Sequence, residues 1–191
     1  MLERAAFGAL VSHTPGGLTA TQMPFLVVGE PLRLIGHVAR ANPHGQAGAG
    51  EALLIVQGPS AYVSPSFYPS KAEHGRVVPT WNYEAVHVHG ALAWFDDAPR
   101  LLQVVQDLTN RFERDRAHPW AVADAPADYV QRLLAAIVGV ELTVARIDAV
   151  RKLSQNRSAA DQAGVIAGLS VSPSPSDQAV ADAMRRGAHR P

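Results

Sequence analysis

The residues best equipped for chemistry lie at 57–89, QGPSAYVSPSFYPSKAEHGRVVPTWNYEAVHVH. Tyr62, Phe67, Tyr68, Trp81 and Tyr83 stand there beside Ser64, Ser66, Asn82, Glu84, His87 and His89. Aromatics interleaved with short polar groups suit a wall that stacks on a flat ligand and hydrogen-bonds its edges. The same aromatics are enriched where subunits meet, so an edge strand and loop buried in a homodimer interface is an equal reading. His87 and His89, two residues apart, fall on one face of a strand and could chelate a metal ion. No carboxylate-rich motif accompanies them, and backbone acceptors or a neighbouring ligand account for two such imidazoles equally well, so no metal site is assigned. Nucleophilic catalysis lacks its parts: there is no cysteine and no G-x-S-x-G. Asp96 and Asp97 read as a turn and a helix cap rather than an acid/base pair.

The elements that must position these groups follow from pattern. Residues 7–13 and 18–28 read as strands joined by the turn TPGG, with an interruption near Pro24. A third strand covers 32–37 and the most apolar one 52–57, extended to 61–63 past a bend at Gly58 and Pro59. The segment 64–79 has three prolines and no period, which predicts a long ordered loop. Residues 82–94 alternate as a strand, with Val86 and Val88 opposite the two histidines. Helices are expected at 98–114, capped by Asp97 with a stripe of Leu101, Val105, Leu108 and Phe112, and at 126–138, ended by Gly139. A last strand covers 140–147, and Ser158 opens a helix running to Gly168. About six strands with inserted helices point to a small antiparallel barrel occupying 1–169. Residues 170–191 read as a Ser/Pro spacer with a short helix or tail.

Bulk properties narrow the partners. The 191 residues carry seventeen basic and seventeen acidic side chains, a formal charge of zero. Such a chain has no global field to draw in nucleic acid, though a local patch on a dimer stays open. Arg111, Arg114 and Arg116 alternate with Glu113 and Asp115, the pattern of a solvated helix face. Apolar residues make up 47%, enough for a sizeable core. No run is long enough to span a membrane, and no signal peptide is evident at 1–17, so the expected location is the cytoplasm, with no membrane partner.

The run GPSAYVSPSFYPSKAEHGRVVPTWNYEAVHVHG at 58–90 resembles the signature of the PaiB family of FMN-binding negative transcriptional regulators. FGALVS at 7–12, GHVARANP at 36–43, DAPADYV and AIVG within 124–139, KLSQNR at 152–157 and DQAGVIAGL at 161–169 agree in order. The resemblance implies a mainly β chain with inserted helices, the FMN-binding split β-barrel of the pyridoxamine-phosphate-oxidase type, forming a homodimer with FMN at the subunit interface. Two departures stand out. Family members carry a Tyr/Pro-rich start and a helix before FG-LVS, and an aromatic just after ANP, where this chain has His44 followed by small residues.

FMN would need cationic or hydroxyl donors for its phosphate, a flat surface for its ring and edge hydrogen bonds. Leaning on the resemblance, Thr19, Thr21 and Gln22 are candidates for the ring edge and ribityl chain, against an ordinary polar hairpin face. Arg40 is the leading phosphate contact, with Arg157 a second and Ser64 a hydroxyl donor. His37 either caps the phosphate or ends its strand, and Asn42 either meets the cofactor or locks a turn. Trp81 and Asn82 form a ring-side pair, one stacking and one donating and accepting. Gln155 returns to the cofactor with Arg157, unless that stretch only caps the next helix. Three functions remain in view: a homodimeric FMN-binding regulator that contacts DNA, a small flavin oxidoreductase acting on a small-molecule substrate with NAD(P)H, and a flavin-free dimerising protein.

Overall fold

The computed structural model describes residue 2, residues 5–46 and residues 48–188. Strands β1 (Phe7–Thr14), β2 (Gly17–Val28), β3 (Arg33–Ala39), β4 (Gly50–Val63), β5 (Thr80–Phe95) and β6 (Ile137–Lys152) close a barrel in the order β1-β2-β3-β6-β5-β4. Helices are α1 (Ser70–His74), α2 (Ala98–Glu113), α3 (Ala127–Ala135), α4 (Ala159–Ser170) and α5 (Pro175–Ala188). The chain forms two compact units, one of residues 1–56 and 87–148, the other of residues 57–86 and 149–191.

In the first unit, the expected hairpin is β1 and β2, paired from Phe7 opposite Pro24 to Thr14 opposite Gly17. The turn between them needs Gly17 at φ 104°, a conformation that a side chain would strain. Thr14 Oγ1 accepts from Gly16 N and donates to the Gly17 carbonyl, tying the turn locally. Pro24 does not break β2, because it lies at the end of the β1 pairing, where prolines are tolerated. Leu10, Met23, Phe25, Leu34, Leu54, Val140 and Leu142 line an interior gap of only about 10 Å³. Each buried side chain of this size contributes on the order of 1.5–3 kcal/mol, and the gap leaves no room for a ligand inside.

Asp97 caps α2 by accepting from Arg100 N at 2.9 Å. The helix buries Leu101, Val104 and Leu108, and the last two pack with Ile35, Leu26, Val28 and Phe95. The apolar stripe is thus turned slightly from the expected one, and Phe112 remains half exposed. The second expected helix ends earlier than its pattern predicted. α3 stops at Ala135, because residues 137–139 pair with residues 39–37 of β3. Gly139 is a strand residue, and a Cβ there would collide with the Phe95 ring.

In the second unit, the expected loop at 64–79 contains a 3-10 turn, Pro65–Phe67, and α1, which ends at Gly75 with φ 64°. Ser158 caps α4 by accepting from Asp161 N. Of the short helix or tail expected within 170–191, the structure has the helix, α5, and it is packed rather than free. Val180, Ala181, Ala183 and Met184 are buried with Ala61, Val63, Tyr68, Leu153, Val165 and Leu169. Ser176 Oγ also donates to the Ser60 carbonyl and accepts from Ser60 N, pinning the start of α5 to β4.

Candidate functional site

The sequence-derived candidates divide between the two units. Thr19, Thr21, Gln22, His37, Arg40 and Asn42 lie in the first, and Ser64, Trp81, Asn82, Gln155 and Arg157 in the second.

In the first unit, a buried polar cluster forms where β1, β2 and the loop after β3 meet. His44, fully buried, places Nε2 2.6 Å from Ser12 Oγ and Nδ1 3.0 Å from Thr21 Oγ1. Thr21 Oγ1 donates to Asn42 Oδ1, which also accepts from His44 N at 2.9 Å. Burial pushes the His44 pKa down, so the neutral ring is the stable form. A serine beside an imidazole resembles an activated nucleophile, but Ser12 is only 6% exposed and His44 not at all, so the pair is a packed polar anchor for the loop. Thr21 Oγ1 and Asn42 Oδ1 are engaged here. No spacing in the sequence announced this pair, since Ser12 and His44 are thirty-two residues apart. The small residue after His44 has a reason, because a Cβ at position 45 would lie 2.8 Å from Val138 Cγ1.

Arg40 is exposed, and its guanidinium donates from Nε to the Ala135 carbonyl at 3.0 Å and from Nη2 to the Ile137 carbonyl at 2.9 Å. These bonds fix it across the end of α3, where helix carbonyls lack partners. They use two of the five guanidinium donors. Thr19 Oγ1 lies 3.0 Å from Thr14 Oγ1 at the hairpin, and Gln22 points out from β2 as an exposed residue. His37 is half-buried on β3, its Nδ1 is enclosed without a hydrogen-bond partner, and burial lowers its pKa. His89 Nε2 lies 3.2 Å from Asp148 Oδ2, which also meets Arg146 Nη1 at 2.7 Å.

In the second unit, Trp81 on β5 is 55% exposed, and Tyr62 on β4 meets it edge to face, ring centroids 6.2 Å apart. Exposing two large rings in one place is costly unless something covers them. Around the turn at 65–67, Ser64 Oγ accepts from Ser66 N, and Lys71 Nζ approaches Ser66 Oγ at 3.4 Å. Arg157 stacks its guanidinium over the Tyr68 ring, 4.7 Å from the centroid. Burial would raise the Asp161 pKa, but hydrogen bonds from Ser70 Oγ and N, the Arg157 charge and the Ser158 hydroxyl together hold it below the usual carboxylate range. Ser70 Oγ donates at 2.8 Å. A cation, an ammonium and hydroxyls gathered around one turn form a donor set that fits a phosphate, and the Trp81–Tyr62 pair fits a flat ring.

Asn82 takes a different place from the surface ring-side position its sequence context suggested. It is fully buried, its Nδ2 donates to Ser154 Oγ at 2.9 Å and approaches Met184 Sδ, and its Oδ1 accepts from Ser154 Oγ. A buried amide must satisfy its polar atoms internally, and these partners do so. Ser154 adopts φ 63° in meeting it. Gln155 is exposed and locks the chain locally, accepting from Leu153 N and donating to the Arg151 carbonyl.

Comparison with known proteins defines the class. Residues 1–146 match the family model described as "Putative FMN-binding domain", and the chain belongs to that family. It is 30% identical to the protease synthase and sporulation protein PAI 2 of Bacillus subtilis, over 96% of this chain and 87% of that protein. An uncharacterized protein of Aspergillus fumigatus is 33% identical over 73% of this chain, and another from Emericella nidulans is 32% identical over 71%. The chain spans 66% and 65% of those two fungal proteins. Among solved structures, the FAD and heme binding protein of Mycobacterium smegmatis superposes with a TM-score of 0.57 at 19% identity, covering 85% of this chain and 73% of that one. A conserved hypothetical protein of Mycobacterium tuberculosis gives 0.55 at 12%, covering 82% and 84%. The fold is therefore the flavin-binding split barrel, mainly β with inserted helices, and the family's cofactor is FMN. Among the described residues no helix is long and apolar enough to cross a membrane.

Proposed function

We propose that this chain is a PaiB-type regulator that works as a homodimer, holding FMN non-covalently, in the cytoplasm. The observation that carries the reading is the exposed Trp81–Tyr62 pair in the same unit as the Ser64, Ser66, Lys71 and Arg157 donors. Trp81 would stack on the isoalloxazine, and Arg157, Ser64 and Lys71 would hold the phosphate. Asn82, buried against Ser154, would act behind Trp81 by fixing the strand that carries it. When bound, FMN supplies one- or two-electron redox chemistry that side chains cannot. The regulatory part of the reading rests on the likeness to PAI 2 of Bacillus subtilis.

A second reading, a small flavin oxidoreductase that uses NAD(P)H on a small-molecule substrate without DNA, is favoured by the net charge of zero. The experiment is gel filtration of the purified chain with FMN, followed by absorbance at the flavin bands near roughly 370 and 450 nm. Retained flavin in a dimer-sized peak, weakened together with binding in Trp81→Ala and Arg157→Gln, supports the proposal. A colourless protein refutes flavin binding. Bleaching by NAD(P)H with no salt-sensitive DNA complex selects the oxidoreductase.

A further inference from the structure

The donors assigned to the phosphate come from two distant stretches of the second unit. Ser64 and Ser66 lie at the turn of 65–67, Lys71 in α1, and Arg157 just before α4. Lysine and arginine carry long, mobile side chains. One phosphate gains from both only if the backbones that carry them keep a fixed relation.

One buried carboxylate sets that relation. Asp161, in the first turn of α4, accepts from Ser70 N through Oδ1 at 3.1 Å and from Ser70 Oγ through Oδ2 at 2.8 Å. Lys71 is the residue after Ser70, and Arg157 precedes Asp161 by one helical turn of sequence. The two-point tie therefore joins the stretches beside the cations they carry. α4 does not need this carboxylate for its own start, because Ser158 Oγ already accepts from Asp161 N at 3.1 Å. Asp161, Gly164 and Gly168 share one face of the helix by their spacing. The two glycines seat Phe67, whose carbonyl and ring leave no room for a Cβ at either position. The turn is thus bedded on α4 at Phe67, and Asp161 fixes the chain where it enters α1. Arg157 is itself stacked on the Tyr68 ring, 4.7 Å from its centroid.

We propose that Asp161 is a positioning residue for the flavin phosphate: without meeting the ligand, it fixes Lys71 and Arg157 relative to each other and so makes the site select FMN over riboflavin, which lacks the phosphate. The inference rests on the flavin reading above. The charge of Asp161 argues the other way, since a carboxylate repels a phosphate. Both of its oxygens are used on Ser70, however, and its charge is met in part by Arg157. Position and charge therefore give opposite signs for Asp161→Asn. The amide keeps the size and removes the charge, but its Nδ2 cannot accept from Ser70 Oγ. If position decides, FMN binds more weakly; if charge decides, FMN binds more tightly. Riboflavin responds to neither.

The test is fluorescence titration of FMN and of riboflavin with the full-length chain freed of bound flavin, for the native protein, Asp161→Asn and Ser70→Ala. Ser70→Ala leaves the charge in place and removes one of the two bonds. The native chain should prefer FMN. Asp161→Asn should weaken FMN by roughly tenfold, the effect of having to order one or two long side chains on binding. Ser70→Ala should weaken it by roughly threefold, and riboflavin should change by less than about twofold in either variant. Thermal melts show that each variant is folded at the assay temperature. FMN binding that is unchanged or tighter in folded Asp161→Asn overturns the proposal. An equal fall for both flavins also overturns it, because a merely structural role would give that result. A native chain that binds both flavins equally, or neither, defeats the phosphate reading and the proposal together, whereas a native preference for FMN that persists in both variants removes the role of Asp161 alone.

Discussion

Gly164 in α4 gives a test in which two effects of opposite sign compete. Alanine favours a helix interior over glycine by about 1 kcal/mol, so Gly164→Ala should stabilise α4 if propensity were all that mattered. A Cβ on Gly164 would, however, fall deep inside contact distance of the Phe67 carbonyl oxygen and 3.1 Å from Pro69 Cδ. The obstacle is backbone, which cannot rotate away as a side-chain tip can. The helix and the turn at 65–67 must separate by roughly an ångström or more to restore ordinary contact, in a cluster where Tyr68, Val165 and Leu169 are packed. Overpacking of this kind costs about 1–3 kcal/mol, with more when the backbone must move. The obstacle here is backbone, so the upper part of that range, about 2–3 kcal/mol, applies. After the propensity gain of about 1 kcal/mol, a net loss of about 1–2 kcal/mol remains. In a chain of this size that lowers Tm by roughly 2–8 °C. Gly187→Ala in α5 is the control, because its nearest neighbour, Arg151 Nη2, is 3.8 Å from a built Cβ. That variant should melt at the same temperature or slightly higher. Thermal unfolding by circular dichroism measures both. If Gly164→Ala melts as high as the native chain, the close approach of α4 to Phe67 is not what excludes a side chain there.

Other expectations can be checked alongside it. His37 and His44 have pKa values below that of an unfolded histidine, so the unfolded chain binds more protons and stability should fall as pH drops below about 6.5; denaturant melts between pH 7.5 and 5 in native, His37→Leu and His44→Asn chains should show a smaller loss in each variant. Asp161 acts at lower pH: its carboxyl is held down in the fold, so its contribution is present above about pH 4 and lost on further acidification, and Asp161→Asn should flatten the melts in that acid range. Asn82→Asp should destabilise by about 2–4 kcal/mol at neutral pH, by placing a charge in a buried site, and recover partly in acid. Arg40→Met should lose about 1 kcal/mol from two backbone hydrogen bonds at the exposed end of α3, with hydrogen exchange rising there first.

The strands were legible because alternation and turn chemistry are local. The hairpin at 14–17, the Asp97 cap and the Ser158 cap depend on residues within three or four positions of each other. The end of α3 was not legible, since the Val130–Leu134 pattern continues into Ile137 and only pairing with β3 decides that residue 137 belongs to a strand. The short helix expected after the Ser/Pro stretch is present as α5, but its packing was not legible, for a related reason. Its Ser/Pro-rich approach resembles a linker, and the burial of Val180 and Met184 is set by partners in other elements, from Ala61 and Val63 of β4 to Val165 and Leu169 of α4. The polar groups divided similarly. Trp81 stands exposed, whereas Asn82, its neighbour and expected ring-side partner, is turned inward to Ser154, seventy-two residues away. Residue type identifies which groups can do chemistry, but burial decides which of them reach solvent.

The pinning of α5 to Ser60 has a consequence for synthesis. Ala61 and Val63 share a core with Val180, Ala181 and Met184, so β4 leaves the ribosome long before its packing partners exist. At about 5–20 residues per second, the intervening stretch takes roughly 6–24 s to make. Throughout that interval, Ala61 and Val63 lie in a nascent apolar segment without a complete core, a natural place for a chaperone to act. Completion of this unit waits for the synthesis of α5, so a product lacking α5 would be marked by its own exposed interior.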